Sequence, residues 1–357
     1  ANAILTARGG MTSHAALVAR GWGKCCIVGA GGLKIDAIGK QLTVDGKTYK
    51  EGDVFTLNGT KGFVYEDQLP MMDATENPRL QGFMDIVDRH RTMKVRTNAD
   101  TAHDAQVALG FGAEGIGLCR TEHMFFSDDR ITPMRQMIIA RSEKERRQAL
   151  EKLLPMQRDD FVEIFRTMGA NPVTIRLLDP PLHEFLPREK AEKKRLAKQA
   201  GINMAKLEQI SEHLHETNPM LGHRGCRLAI TYPEILEMQV RAIVEAALEV
   251  AKQGLTVKPE IMIPLVGIAE ELKQLKQRAV DVIEKVLSET NVNVEDIIGT
   301  MIEVPRAAFV AEQIAEQAEF FSFGTNDLTQ MTYGFSRDDI GTFVPEYIKD
   351  NIIEKDP

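Results

Sequence analysis

Beyond residue 93 the chain alternates short strand-like runs with long helical stretches, and this alternation constrains the fold more than any other feature. The runs are Lys94-Val95-Arg96, Gly115-Ile116-Gly117-Leu118, Val173-Thr174-Ile175-Arg176-Leu177, Ile261-Met262-Ile263-Pro264, Thr300-Met301-Ile302-Glu303 and Phe320-Phe321-Ser322-Phe323, with a weaker one near Met220-Leu221. Helical stretches at 136–153, 188–199, 233–253 and 306–318 fall between them. Strands joined through helices lie parallel, because a parallel pair needs a long crossover. The pattern predicts an α/β fold of the (β/α)8 barrel type with seven strands and no eighth before the chain stops at Pro357. In such barrels the chemistry gathers at the C-terminal ends of the strands.

Residues 1–68 read differently, as a small β-rich domain with one or two helices. Leu42-Thr43-Val44 and Thr48-Tyr49 flank Asp45-Gly46-Lys47, a hairpin signal. A second antiparallel pair is expected where Val54-Phe55-Thr56-Leu57 runs through Asn58-Gly59 to Gly62-Phe63-Val64-Tyr65. Residues 69–92 carry Pro70, Asp73, Asn77 and Pro78 ahead of a helix and read as a linker. The second domain is then 93–357.

Within the first domain, Gly9-Gly10-Met11-Thr12-Ser13-His14-Ala15-Ala16 combines a glycine turn, two capping residues and a histidine at the start of an apolar helix. Free N–H groups and the positive end of the helix dipole favour neutral imidazole, the nucleophilic form, and would then favour a phosphorylated ring. A capped helix with an incidental histidine fits the same residues.

Charged residues end several of the predicted strands. Glu303 and Asp327 follow two successive ones, and carboxylate oxygens with room for water suit Mg²⁺. Carboxylates that merely cap loops are the alternative, weakened by Gly324-Thr325-Asn326, which reads as a close backbone approach to a ligand. Arg120 and Arg176 also end strands, and their forked guanidinium groups suit phosphate as well as surface ion pairs. Arg96 and Arg337 are weaker candidates for the same positive pocket, and His223 and Arg224 for its rim.

Composition excludes several classes. A formal net charge of −8 argues against a nucleic-acid-binding surface, so an anion site must be built from locally placed arginines. No apolar run reaches membrane-spanning length. Cys25 and Cys26 are adjacent while Cys119 and Cys226 are isolated, which suits reduced thiols in a cytoplasmic protein better than a metal site. The chain opens mid-pattern with Ala1-Asn2-Ala3 and reads as a fragment.

The segments GGMTSHAALVARGWGKCC at 9–26, CRTEHMFF at 119–126, IRLLDPPLHEFLP at 175–187, NPMLGHRGCRL at 218–228 and the strand ends around Glu303 and Asp327 resemble the phosphoenolpyruvate-utilising enzymes over nearly the whole chain. The dikinase branch is most similar. It interconverts phosphoenolpyruvate, AMP and diphosphate with pyruvate, ATP and phosphate through a phosphohistidine. The resemblance implies a swivelling domain carrying His14 as the nucleophile. It also implies that Glu303 and Asp327 bind Mg²⁺, that Asn326 and the Gly324–Thr325 backbone hold the substrate carboxylate, and that Arg120 and Arg176 clamp the phosphoryl group. Nucleotides would be handled by a further domain, the parent enzyme would be a homodimer through its barrel, and a cysteine on an eighth strand would donate the proton. Alternatives within the family are the phosphoenolpyruvate synthase branch and the phosphocarrier enzyme I branch, whose product is a phosphorylated protein.

Overall fold

The computed structural model describes the chain apart from residues 1, 11–12, 14, 17–18, 20–23, 71–77, 217, 291–296 and 338 and the side chain of residue 128. Two compact units form, Ala1–His90 and Arg91–Pro357.

In the first unit, β1 (Ala3–Leu5) pairs in parallel with β2 (Cys25–Ile27). Antiparallel pairing joins β3 (Lys34–Asp36), β4 (Gln41–Val44) and β5 (Lys47–Lys50). The β4–β5 turn holds Asp45 and Gly46 at φ 48° and 81°, the doubly left-handed geometry that matches the twist of paired strands. A second hairpin pairs β6 (Thr56–Asn58) with β7 (Phe63–Tyr65), as the residue pattern predicts. His14 lies outside the described residues. Next to it, Ser13 donates its backbone N–H to Gly10 O at 3.0 Å, and its Oγ accepts the Ala16 N–H at 3.4 Å. Ala16 and Ala19 are buried in helical backbone.

The second unit is built on a parallel sheet in chain order: β8 (Thr97–Asn98), β9 (Ile116–Arg120), β10 (Pro172–Arg176), β11 (Lys258–Ile263), β12 (Ile297–Ile302) and β13 (Phe321–Phe323). Each strand neighbours the next, the winding of an α/β barrel. Six strands stand among the described residues where the sequence suggests seven. Met220 and Leu221 belong to a 3₁₀ turn, Pro219–Leu221, because Asn218 Oδ1 accepts the Met220 N–H and closes the chain on itself. The first strand starts at Thr97 rather than Lys94, since the Glu114 carboxylate takes the Val95 N–H.

Residues alternate between the faces of the sheet. Val173, Ile175, Ile261, Ile263, Ile298 and Ile302 join Phe161 and Phe165 of helix Glu143–Met168 and Val240 and Ile243 of helix Pro233–Lys252 in one buried cluster. Each fully buried side chain of that size contributes about 1.5–3 kcal/mol. The helix expected at 306–318 is broken into Pro305–Phe309 and Ala311–Ala315 at Val310, whose backbone leaves helical geometry. The opposite face of the sheet carries the polar side chains Thr174, Arg176, Glu260 and Glu303 beside Met262 and Met301.

Candidate active site

Thr174 and Arg176 share one face of β10 and define two layers. In the deeper layer, Arg96 donates to Thr174 Oγ1 at 3.1 Å and forms a two-pronged pair with Glu260. Thr174 and Glu260 are opposite each other across β10 and β11, and their side chains hydrogen bond at 2.6 Å. Gly117 allows this arginine to lie against the strand, as a Cβ there would meet Arg96 Cβ at 3.2 Å. Arg96 is therefore committed to a structural ion pair and does not line the cavity above it. In sequence Arg96 reads as a strand end like Arg120 and Arg176, but its strand begins one residue later and Glu260, 164 residues away, takes its side chain.

The upper layer opens into a cavity of about 440 Å³ lined by Arg120, Arg176, Asp179, Arg224, Met301, Glu303 and Gly324 through Asp327. Strand ends supply Arg120, Arg176 and Glu303. Gly324 follows β13 and caps helix Thr325–Tyr333, so Asn326 and Asp327 stand in its first turn. A Cβ at Gly324 would sit 2.6 Å from Glu303 Cβ and 2.8 Å from its Oε2, so glycine is required for the carboxylate to lie against this turn. Arg337 is exposed, does not line the cavity, and holds Gln330 Oε1 through its backbone N–H at 2.9 Å. Helix Thr325–Tyr333 carries the chain away from the cavity before Arg337 is reached.

The arginines are braced from below. Arg176 reaches Glu122 Oε1 at 2.5 Å and Asp179 Oδ2 at 3.1 Å, leaving its buried Nε without a hydrogen-bond partner among the described residues. Arg224 forks onto Asp179 at 2.5 and 3.2 Å and extends Nη1 to Asp327 at 3.3 Å. Burial works against both charges, but Asp179 and the other carboxylates outweigh it and keep both arginines protonated. Asp179 and Glu122 are absent from the sequence reading and Arg224 stands there only at the rim. The available signals are short: Asp179 lies three residues beyond Arg176, and Glu122 two beyond Arg120. Gly225 holds the Arg224 loop in place at φ +55°, where a Cβ would meet Leu265 Cβ at 2.8 Å.

Glu303 is 1% exposed and accepts the Leu265 N–H at 2.7 Å. Burial first, and then the charges of Asp179 and Asp327, push its carboxyl up to about 7 against the pull of Arg176 and the Leu265 amide. Around the cavity the guanidinium groups of Arg120, Arg176 and Arg224 meet the carboxylates of Glu122, Asp179, Glu303 and Asp327. This set is short of positive charge. Among the described residues no group of three or more His, Cys, Asp or Glu side chains could hold a metal by itself. Two carboxylates with an anionic ligand completing the shell is nevertheless the usual arrangement for Mg²⁺, and a raised buried carboxyl beside a second one fits that role. Cys119 and Cys226 are buried outside the cavity lining. Burial raises both thiols, that of Cys226 to about 12.

Two family models match the chain. Residues 75–351 match the PEP-binding domain of PEP-utilising enzymes, and residues 1–62 match the mobile domain of the same enzymes. The chain belongs to the PEP-utilising enzymes. Within this family it is 56% identical over its whole length to pyruvate, phosphate dikinase of Rhizobium meliloti (strain 1021), of which it covers 40%. It is 52% identical to the Clostridium symbiosum protein of that name, covering 41% of it. Over 99% of the chain it is 54% identical to pyruvate, phosphate dikinase 2 of Zea mays, covering 40%. The chain thus spans about two fifths of the length of these relatives of the PEP-utilising family. No helix among the described residues is long and apolar enough to cross a membrane.

Proposed function

We propose that the cavity binds phosphoenolpyruvate and passes its phosphoryl group to His14, as one half of a pyruvate, phosphate dikinase reaction. The observation that carries this is the meeting of the Arg120 guanidinium and two braced ones, Arg176 and Arg224, with Glu303 and Asp327 at the C-terminal ends of parallel strands. Such a site takes an anion and a divalent cation together.

Phosphoenolpyruvate carries a phosphate and a carboxylate that need separate partners. Arg120 and Arg176 suit the phosphoryl group, because planar forks match its oxygens. Asn326 and the Gly324–Thr325 backbone, at a helix N-terminus beside the cavity, suit the carboxylate. Glu303 and Asp327 would hold Mg²⁺, which when bound supplies positive charge against the developing enolate oxygen. His14 Nε2 attacks phosphorus, the bond from phosphorus to the enol oxygen breaks, and the electron pair stays on the enolate. Pyruvate results when C3 takes a proton. Neither Cys119 nor Cys226 lines the cavity in which that transfer takes place. Arg176, pinned on two sides, cannot swing away as charge builds, so its stabilisation needs little reorganisation.

The names of the relatives favour the dikinase branch over the synthase and enzyme I branches. AMP, diphosphate, ATP and phosphate would then be handled at a nucleotide-binding domain outside residues 1–357, with His14 carrying the phosphoryl group between sites. A cytoplasmic homodimer joined through its barrels belongs to the same proposal. Calorimetric titration with phosphoenolpyruvate, with and without Mg²⁺, tests the cavity. Binding should require Mg²⁺ and weaken together with metal affinity in Glu303→Gln and Asp327→Asn. Unchanged metal dependence in both variants would reduce these carboxylates to loop caps.

A further inference from the structure

Asp100 lies just beyond β8 and touches Arg120 twice. Its Oδ1 accepts the Arg120 backbone N–H at 2.6 Å, and its Oδ2 lies 3.7 Å from the guanidinium. The same Oδ2 accepts from His123 Nδ1 at 2.7 Å. The 3₁₀ turn Thr121–Phe125 makes this possible by bringing His123 back beside the strand end. The Asp100 carboxylate is 16% exposed, whereas the imidazole is 52% exposed and open to solvent protons. Arg120 lines the substrate cavity, and Asp100 and His123 line a separate recess behind it.

We propose that Asp100 and His123 form a protonation-sensitive bracket that sets how far the Arg120 guanidinium is available to an anion in the cavity. The proposal rests on that cavity being the phosphoenolpyruvate site. Asp100 and His123 are positioning residues, since neither lines the cavity. With His123 protonated, Asp100 has a full counter-charge at hydrogen-bond distance. Its hold on Arg120 is then the backbone bond and a long ionic contact, and the guanidinium keeps most of its charge for the ligand. With His123 neutral, Arg120 is the nearest full cation to Asp100, and the two are drawn together at the ligand's expense.

The surroundings support a titrating group here. Asp100 donates nothing and accepts twice, and the hydrogen bonds and charges of His123 and Arg120 lower its carboxyl although burial works the other way. His123 is raised, first by its hydrogen bond to Asp100 and further by the charges of Asp100 and Glu122, against burial and Arg120. The other charged groups facing the recess are Asp129 and Arg130 from helix Asp128–Ile138 and Asp160 and Glu163 from helix Glu143–Met168. Arg130 is already paired with Asp160 through both Nη atoms. Neither of the proposed metal-binding carboxylates, Glu303 and Asp327, lines this recess.

Linkage makes the test two-sided, because a proton that favours the ligand must itself be favoured by the ligand. The His123 ring is titrated by NMR, assigned by its absence in His123→Asn, and phosphoenolpyruvate affinity is measured with Mg²⁺ from pH 5.5 to 8.5. Asp100→Asn should return the His123 pKa toward the ordinary value of about 6.5. Added phosphoenolpyruvate should raise it in the wild type. Wild-type affinity should weaken about two- to fivefold across the His123 titration, the scale of a partly exposed ion pair. His123→Asn keeps a donor to Asp100 but cannot charge, so its profile keeps the titrations of the ligand's phosphate and of Glu303 and loses the His123 step. Identical His123 titrations in wild type and Asp100→Asn would overturn the bracket, as would matching affinity profiles in wild type and His123→Asn. A wild-type chain that binds no phosphoenolpyruvate at any pH would instead strike the assignment of the cavity, and the ring titration would still decide the bracket.

Discussion

Replacing Glu303 by glutamine should stabilise the metal-free protein above neutral pH while removing a ligand-binding group. In the folded state burial, with the charges of Asp179 and Asp327, pushes the carboxyl up to about 7 from an ordinary value of 4.5. At 1.36 kcal/mol per pKa unit, that gap is on the order of 3 kcal/mol. The sign follows from proton counts. Below pH 4.5 both folded and unfolded chains carry the proton and the group has no effect. Between 4.5 and 7 the folded chain holds the proton that the unfolded chain loses, so stability falls as pH rises. Above 7 the folded chain carries the full cost of a buried carboxylate. Glutamine keeps an oxygen for the Leu265 N–H and never ionises. Arg176 retains Glu122 and Asp179, so no unpaired charge is created. Urea unfolding followed by far-ultraviolet circular dichroism without Mg²⁺ should show matched midpoints near pH 4.5. By pH 8 the variant should be ahead by up to about 3 kcal/mol. A variant less stable than wild type at pH 8, or a gap that does not change with pH, would refute the assignment of Glu303 as a carboxylate held at a cost for function.

Other substitutions separate binding from support. Arg120→Lys and Arg176→Lys keep the charge but lose the fork, and calorimetry should show about 1–3 kcal/mol lost in phosphoenolpyruvate binding per charge-assisted contact removed; near-wild-type affinity in both would place them outside the phosphate site. Arg96→Met should lower the urea midpoint by leaving Glu260 unpaired, an effect of about 2–4 kcal/mol after allowing for the exposure of Arg96, yet leave phosphoenolpyruvate affinity near wild type. Gly324→Ala should cost about 1–3 kcal/mol in stability from crowding Glu303 and should abolish Mg²⁺-dependent binding; an alanine variant that binds normally would show that this turn has room to spare.

How much of this was legible in the residues depends on chain distance. The Asp45-Gly46 turn is written locally, because two left-handed residues need small or polar side chains, and it forms where expected. Glu303 and the Gly324–Asp327 turn are also local signals: an apolar strand that ends in a carboxylate or glycine turns toward the open end of the sheet. Arg120 and Arg176 line the cavity by the same rule. Arg96 obeys the rule in sequence and fails it in space, because Glu260 captures it one layer deeper. Asp179, Glu122 and Asp100 matter through partners on other strands, and nothing in their own segments names those partners. Met220-Leu221 reads as a weak strand, but Asn218 and Pro219 close a turn around it. His14 is singled out by its own neighbours and itself lies outside the described residues.

Transfer of the phosphoryl group from phosphoenolpyruvate to His14 is the claim on which the rest depends. It is tested most directly by incubating the protein with Mg²⁺ and phosphoenolpyruvate labelled in its phosphoryl group. The wild type should acquire an acid-labile, base-stable label and release pyruvate in equal amount. In His14→Ala the label should be absent while the circular dichroism spectrum is unchanged. Label at the wild-type level in His14→Ala would contradict the account, whatever the cavity binds.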